Sequence, residues 1–286
     1  MKPMKQSKYR KMIWSIVAGI TFLAVIYIAS YRIYVQQPCT LVAFKLQKGH
    51  STLIHKASSV VIIDGGGSAE ILRQVGGELN IFDRAIDLAI LSSVDANKIS
   101  GLIELANRYK IHMLSLPMSA KATSTKELRL LEQIAADKNI SLLYVQAPAV
   151  FNLGIDISLI APTSEYVPSK KENPTTVVSA SCDSSQVLIF GSAPKRMQKF
   201  VAEISGDTHY DALLYQVTDS EANFFAPALD VFSPHKFIYS KRPSSAASKN
   251  IKSKSEPSLA QLLGPANVFN IAQGTVRLEL GGKPPD

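Results

Sequence analysis

The sequence predicts an α/β fold, a four-layer αββα sandwich preceded by one transmembrane helix. Three observations carry that expectation. From residue 40 onward, β-type runs alternate with amphipathic helical ones, as a layered α/β core requires. The alternation falls into two comparable halves with no internal repeat at a period of about 20–50 residues. Ahead of both halves, Met12–Tyr31 forms a run without a single charge.

The elements follow in order. Thr40–Ile54 and Ser59–Ile63 are apolar and β-branched, broken by Gly49 and a polar turn, and read as strands. Asp64-Gly65-Gly66-Gly67 ends the second run, and Ser68 can cap a short helix reaching Val75. Ile86–Leu91 is nearly all apolar, as a strand buried on both faces should be. Lys98–Tyr109 places Ile99, Leu102, Ile103 and Ala106 on one helical face. Ile111–Leu116 is another buried strand, and Ser124–Lys138 an amphipathic helix. The second half has strands at Ser141–Val145, Ile155–Ala161, Thr176–Ser181 and Gln186–Gly191. A helix at Pro194–Ile204 precedes the strand Ala212–Tyr215. A helix at Asn223–Val231 leads into the strand Lys236–Ser240. A polar Ser- and Lys-rich loop spans Lys241–Glu256. The helix Pro257–Leu263 and strands Val268–Ile271 and Thr275–Leu280 complete the domain.

Composition is that of an ordinary globular core, with 46% hydrophobic and 19% charged residues. The net charge of +8 is concentrated at one end. Lys2, Lys5, Lys8, Arg10 and Lys11 supply five of the 31 basic residues, leaving 26 against 23 acidic ones. The global charge therefore argues little for nucleic acid. The uncharged run, about 30 Å long as a helix, matches a bilayer core. Trp14, Tyr27, Tyr31 and Tyr34 suit its two interfaces, and the basic tail places the N-terminus in the cytoplasm. The expected organisation is a cytoplasmic tail (1–11), a single-pass anchor in the cytoplasmic membrane (12–34), a linker (35–39), an extracytoplasmic domain (40–281) and a short tail (282–286). A cleavable signal peptide competes, although its apolar region is usually shorter, about 7–15 residues. Cys39 and Cys182 leave two states open, one disulfide or two partly buried thiols.

One stretch bears on chemistry: Leu91-Ser92-Ser93-Val94-Asp95-Ala96-Asn97-Lys98-Ile99-Ser100-Gly101. It resembles the metal-binding loop of metallo-β-lactamase-fold hydrolases, where two histidines and two aspartates hold a pair of divalent metals. Ser93 and Lys98 stand at the histidine positions, Asn97 replaces the second aspartate, and Asp95 remains. The likeness covers about residues 40–281 and is similar to the domain attached to ComEC, the competence channel of DNA uptake. Ala43–Ile54 matches that family's first strand, and Ile63-Asp64-Gly65-Gly66 its I-D-G-G turn. Asn173–Val178 echoes its asparagine-centred segment. The other ligand positions are also lost: Phe190-Gly191-Ser192 replaces the strand ending in aspartate, Gln216–Ser220 with Thr218 lacks both histidines, and Lys252–Pro257 lacks the last one.

The resemblance thus implies the fold with its ligands lost. A metal site of this kind needs several imidazoles and carboxylates converging on one point. No catalytic residue, metal or cofactor is expected. The vestigial pocket would hold Asp64, Ser93, Asp95, Asn97, Lys98, Ser192 and Thr218, with Asp64 supporting the loop. The preferred reading is a non-catalytic binding or assembly module acting with a ComEC-type channel or another envelope protein. A second reading is a metal-dependent hydrolase or nuclease with rearranged ligands. A third is a polyanion-binding protein using Lys98 and the basic loop of Lys236, Lys241, Arg242, Lys249, Lys252 and Lys254 toward phosphates. Lys170-Lys171 and Lys195-Arg196-Lys199 add smaller basic groups. Ser92 and Ser93 beside Lys98 could imitate a Ser–Lys dyad, but no G-x-S-x-G elbow accompanies them. His50, His55, His112, His209 and His235 are scattered and read as individual strand-end or surface residues.

Overall fold

The computed structural model describes residues 6–35, 37–79, 85–168, 175–206, 208–216, 224–225, 227–240, 264 and 267–280, with the side chains of 6–12 and 30–35 left aside. The chain divides into two compact units, Met1–Pro38 and Cys39–Asp286. The first is a helix, α1 (Gln6–Val35). Thr21, inside the apolar run, returns its hydroxyl hydrogen to the Val17 and Ala18 carbonyls.

The membrane anchor expected at residues 12–34 does not hold. Among the described residues no helix is long and apolar enough to cross a membrane. The extracytoplasmic placement of the main domain depended on that anchor and falls with it.

The second unit contains β1 (Cys39–Ala43), β2 (Thr52–Lys56), β3 (Ser59–Ile63), α2 (Glu70–Glu78), β4 (Ala85–Ile90), α3 (Ala96–Arg108) and β5 (Lys110–Pro117). A 3-10 turn at Met118–Ala122, α4 (Lys126–Asp137), β6 (Ser141–Val145), β7 (Ala149–Asn152), β8 (Asp156–Ala161) and β9 (Val177–Cys182) follow. The chain continues through β10 (Ser185–Gly191), α5 (Lys195–Ser205), β11 (Ala212–Gln216), α6 (Pro227–Phe232), β12 (Lys236–Ser240), β13 (Val268–Asn270) and β14 (Val276–Leu280).

These strands form two mixed sheets, ordered β14-β1-β2-β3-β4-β5-β6 and β13-β12-β11-β10-β9-β8-β7. Strand alternation explains the layering. Val61 and Ile63 of β3 point between the sheets and meet Val178, Ala180, Val187 and Ile189. Val60 and Ile62, one residue out of phase, face α2, α3 and α4 through Ile71, Val75, Leu102, Leu105 and Leu131. On the far side, Leu188, Phe190 and Phe237 pack against Met197 and Val201 of α5 and Phe232 of α6. The result is the expected αββα sandwich.

Differences from expectation are local. The segment Thr40–Ile54 is two strands joined by a loop, because Gly49 (φ +69) turns the chain there. The edge strand β7 was not anticipated, since its residues alternate between half-buried and exposed over only four positions. The helix expected at 257–263 lies outside the described residues.

Cys39 and Cys182 are bridged, which resolves the two states left open. Both are buried and join β1 of one sheet to β9 of the other across the core. Beside them Lys56 of β2 pairs with Asp183. The bridge closes a loop with a sequence separation of 143 residues. In the chain-entropy account such a closure destabilises the unfolded chain by about 5 kcal/mol. Reduction, or the pair Cys39→Ser with Cys182→Ser, should therefore lower Tm by roughly 10–20 °C. Calorimetry that shows no change in Tm would contradict the bridge.

Candidate functional site

Three loops from both sheets converge at one edge of the sandwich. Asp64 follows β3, Ser92 and Ser93 follow β4, and Ser192 follows β10. β3 and β4 run parallel, so their C-terminal ends lie side by side. The Thr176 N–H donates to the Ser92 carbonyl at 2.7 Å and links the second sheet to this edge. Lys98 enters from the first turns of α3.

The glycines of the Asp64–Gly66 turn seat that helix. Gly65 N–H donates to the Lys98 carbonyl at 2.9 Å, and Gly101 N–H donates to the Gly66 carbonyl at 2.8 Å. A Cβ on Gly65 would stand 2.1 Å from the Leu102 nitrogen, and one on Gly101 would stand 1.8 Å from the Gly65 oxygen. Backbone occupies both spaces, so neither position admits a side chain. Asp64 itself has φ +58, a region aspartate enters more readily than most residues.

Lys98 is 4% exposed and Asp64 1% exposed. The Lys98 ammonium donates to Ser92 Oγ at 2.7 Å, Ser93 Oγ at 2.8 Å and Ser192 Oγ at 2.9 Å. An ammonium has three N–H donors, and all three are engaged. The Asp64 carboxylate accepts from the Ser92 N–H at 2.7 Å and from the Ser92 hydroxyl at 2.6 Å. Its Oδ2 lies 3.5 Å from the Lys98 Nζ. Ser92 thus stands between the two charges, donating to the acid and accepting from the base. Burying either charge alone is costly, and together, with their hydrogen bonds satisfied, they are tolerated.

The structure brings together Asp64, Ser93, Lys98 and Ser192 of the expected pocket and leaves others apart. Asp95, the retained aspartate, is exposed and caps α3, accepting from the Asn97 N–H at 2.8 Å. Asn97 is exposed as well. Thr218 lies outside the described residues, as do Lys241, Arg242, Lys249, Lys252 and Lys254. Lys236 begins β12 and is in register with Ala212, whereas the pocket lies beyond the opposite ends of these parallel strands. Lys98 and Lys236 therefore do not form one basic surface. Ser92 was read only as half of a Ser–Lys pair, and nothing in the sequence marked it as the centre of the cluster.

The resembled hydrolases would place two metals here, and the residues present do not fit them. Three neutral hydroxyls and one carboxylate surround a cation that the protein already supplies. The Lys98 ammonium fills the point of convergence and repels a second cation. The cluster does not suit nucleophilic catalysis either. Ser92 and Ser93 are 1% and 3% exposed, and both hydroxyls accept from a lysine whose donors are all in use.

No family model matches the sequence, and no curated protein matches it. Solved structures do. The chain is similar to the metallo-β-lactamase fold protein YhfI from Bacillus subtilis, with TM-score 0.52 and 11% identity over 84% of this chain and 99% of that one. CmlA, a diiron β-hydroxylase from Streptomyces venezuelae, superposes with TM-score 0.53 and 12% identity over 85% of this chain and 54% of its own. Human tRNase Z, short form, gives TM-score 0.50 and 9% identity over 84% and 99%. At such identities the likeness is one of fold, and the chain has the metallo-β-lactamase fold.

The buried pair sets a stability prediction. Lys98→Met strands a buried carboxylate, and Asp64→Asn strands a buried ammonium, each costing about 3–5 kcal/mol. The double variant should lose less than the two single losses combined, with a coupling of roughly 1–3 kcal/mol in urea unfolding. Additive losses would mean that the two charges do not interact.

Proposed function

We propose that this chain is a non-catalytic protein built on the metallo-β-lactamase fold, in which a lysine occupies the metal position. The observation that carries the reading is the Lys98 ammonium, saturated by Ser92, Ser93 and Ser192 and paired with Asp64. It removes both requirements of the hydrolytic reaction, an ion and an open position for water on that ion. What remains is a rigid sandwich whose loops can hold a partner. We assign it to binding or assembly in ComEC-type DNA uptake, with the channel as partner. That assignment rests on the likeness of Ala43–Ile54 and Ile63-Asp64-Gly65-Gly66 to the ComEC domain.

The alternative hydrolase would need ligands from elsewhere on the same edge, and Asp95, the best candidate, is committed to capping α3. The polyanion reading would need Lys98 to face outward. Its ammonium faces inward, so that reading falls to the loop lysines alone.

Two measurements test the proposal. Supplied with zinc or manganese, the full chain should hydrolyse bis(p-nitrophenyl) phosphate and DNA no faster than buffer. A metal-dependent rate that drops in Asp64→Asn would overturn the non-catalytic reading. Co-expressed with a ComEC-type channel, the chain should co-purify with it in detergent. Separate elution would overturn the DNA-uptake assignment and leave the non-catalytic reading standing.

A further inference from the structure

Two of the histidines that look scattered in the sequence meet at the other end of the second sheet. Asp211 immediately precedes β11, His209 lies two residues earlier, and His235 immediately precedes β12. β11 and β12 are parallel neighbours with Ala212 opposite Lys236, so their entry points lie side by side. One ring nitrogen of each histidine and one carboxylate oxygen of Asp211 lie within 4.8 Å of one another. The two imidazoles meet edge to face with centroids 5.0 Å apart, and His235 Nδ1 is 3.5 Å from Asp211 Oδ1.

The backbone beneath them is fixed. Tyr210, between His209 and Asp211, is buried against Phe232, with ring centroids 5.4 Å apart. Its burial turns its two neighbours outward together, as the two-residue alternation of an extended segment requires. Asp211 N–H donates to the Gln186 carbonyl at 2.8 Å, and Lys236 N–H donates to the Asp211 carbonyl at 3.0 Å. Gln186 N–H also holds Asp211 Oδ2 at 2.8 Å. That outer contact orients the carboxylate and leaves Oδ1 turned toward the histidines, as outer partners of metal ligands do.

We propose that His209, Asp211 and His235 form a surface site for a zinc-class divalent transition metal, separate from the pocket at Lys98. Two imidazoles and one carboxylate are a ligand set suited to zinc and its first-row neighbours, and they leave a fourth position open to solvent or to a partner's side chain. Tetrahedral ligands at ~2.1 Å from an ion stand about 3.4 Å apart, so the three atoms need to close by little more than an ångström. Rotation of the exposed imidazoles, with the His235 side chain 71% accessible, supplies that movement without disturbing the fold. Sequence reading missed the site because 25 residues separate His209 from His235, and only strand pairing brings them together.

Cobalt(II) titration of the untagged full chain tests it, because cobalt bound in such a site gives a visible ligand-field band that zinc then displaces. The expected result is one equivalent bound. His209→Ala or His235→Ala should weaken it by more than about 100-fold, beyond the 10–100-fold typical of losing only an outer partner. His112→Ala, in the separate His112–Asp87 contact, should leave it unchanged. Absence of the band in the parent chain, or its persistence in the His209→Ala/His235→Ala double variant, would overturn the site. Far-ultraviolet circular dichroism checks that the exposed substitutions leave the fold intact.

Discussion

A buried ammonium governs the edge at which the two sheets converge. The Lys98 nitrogen is the point at which the chain segments following β3, β4 and β10 and the first turns of α3 meet. In the fold's hydrolytic form the same point would be held by cations that several acidic and imidazole ligands pull inward. Here the chain supplies one cation of its own, and its partners suit that ion. Three serine hydroxyls serve an ion of charge one that donates hydrogen bonds; histidines and aspartates would serve one of charge two that accepts electron pairs. Asp64, buried beside it, needs a positive neighbour, and the Lys98 ammonium is that neighbour.

That arrangement depends in turn on how closely α3 can approach the strand ends. Gly65 and Gly101 lie backbone to backbone, and the exchanged hydrogen bonds between the turn and the helix set the height at which Lys98 enters. The lysine stem must reach hydroxyls following both β4 and β10 within 2.7–2.9 Å. An added methyl at either glycine would push the helix outward and pull the ammonium from at least one of its acceptors. The glycine turn and the lysine thus form one device. Asp95 belongs to it as well, because capping the helix fixes where its first turn starts.

Most of the layering was legible in the sequence because it follows from short-range periodicity. Ile86–Leu91 and Ile111–Leu116 read as buried strands since a strand covered on both faces must be largely apolar. The α3 and α4 faces were visible in their helical spacing. The Ser92–Lys98 loop was legible only through resemblance, which located Ser93 and Lys98 but assigned pocket roles to Asp95 and Asn97 that the structure gives to the helix start. Ser92 stayed hidden because its role depends on distance to Asp64, 28 residues away, across a parallel strand pair. The Cys39–Cys182 bridge was undecidable for the same reason, since its halves lie on different sheets.

The second sheet carries polar clusters at both of its ends. In β10, β11 and β12 the C-terminal ends face the Lys98 cluster, while their entry points carry Asp211 and His235. The strand interiors between them, Leu188, Leu214 and Ile238 among them, are fully buried and hold the two ends a strand's length apart. The entry ends are also the simpler place to gather ligands. Adjacent parallel strands start about 5 Å apart, so side chains preceding two neighbouring strands converge without any special turn. The Lys98 pocket, by contrast, needs a glycine-seated helix and contributions from both sheets. A site resting on strand pairing alone asks less of the sequence, and two histidines and an aspartate at those starts meet that demand.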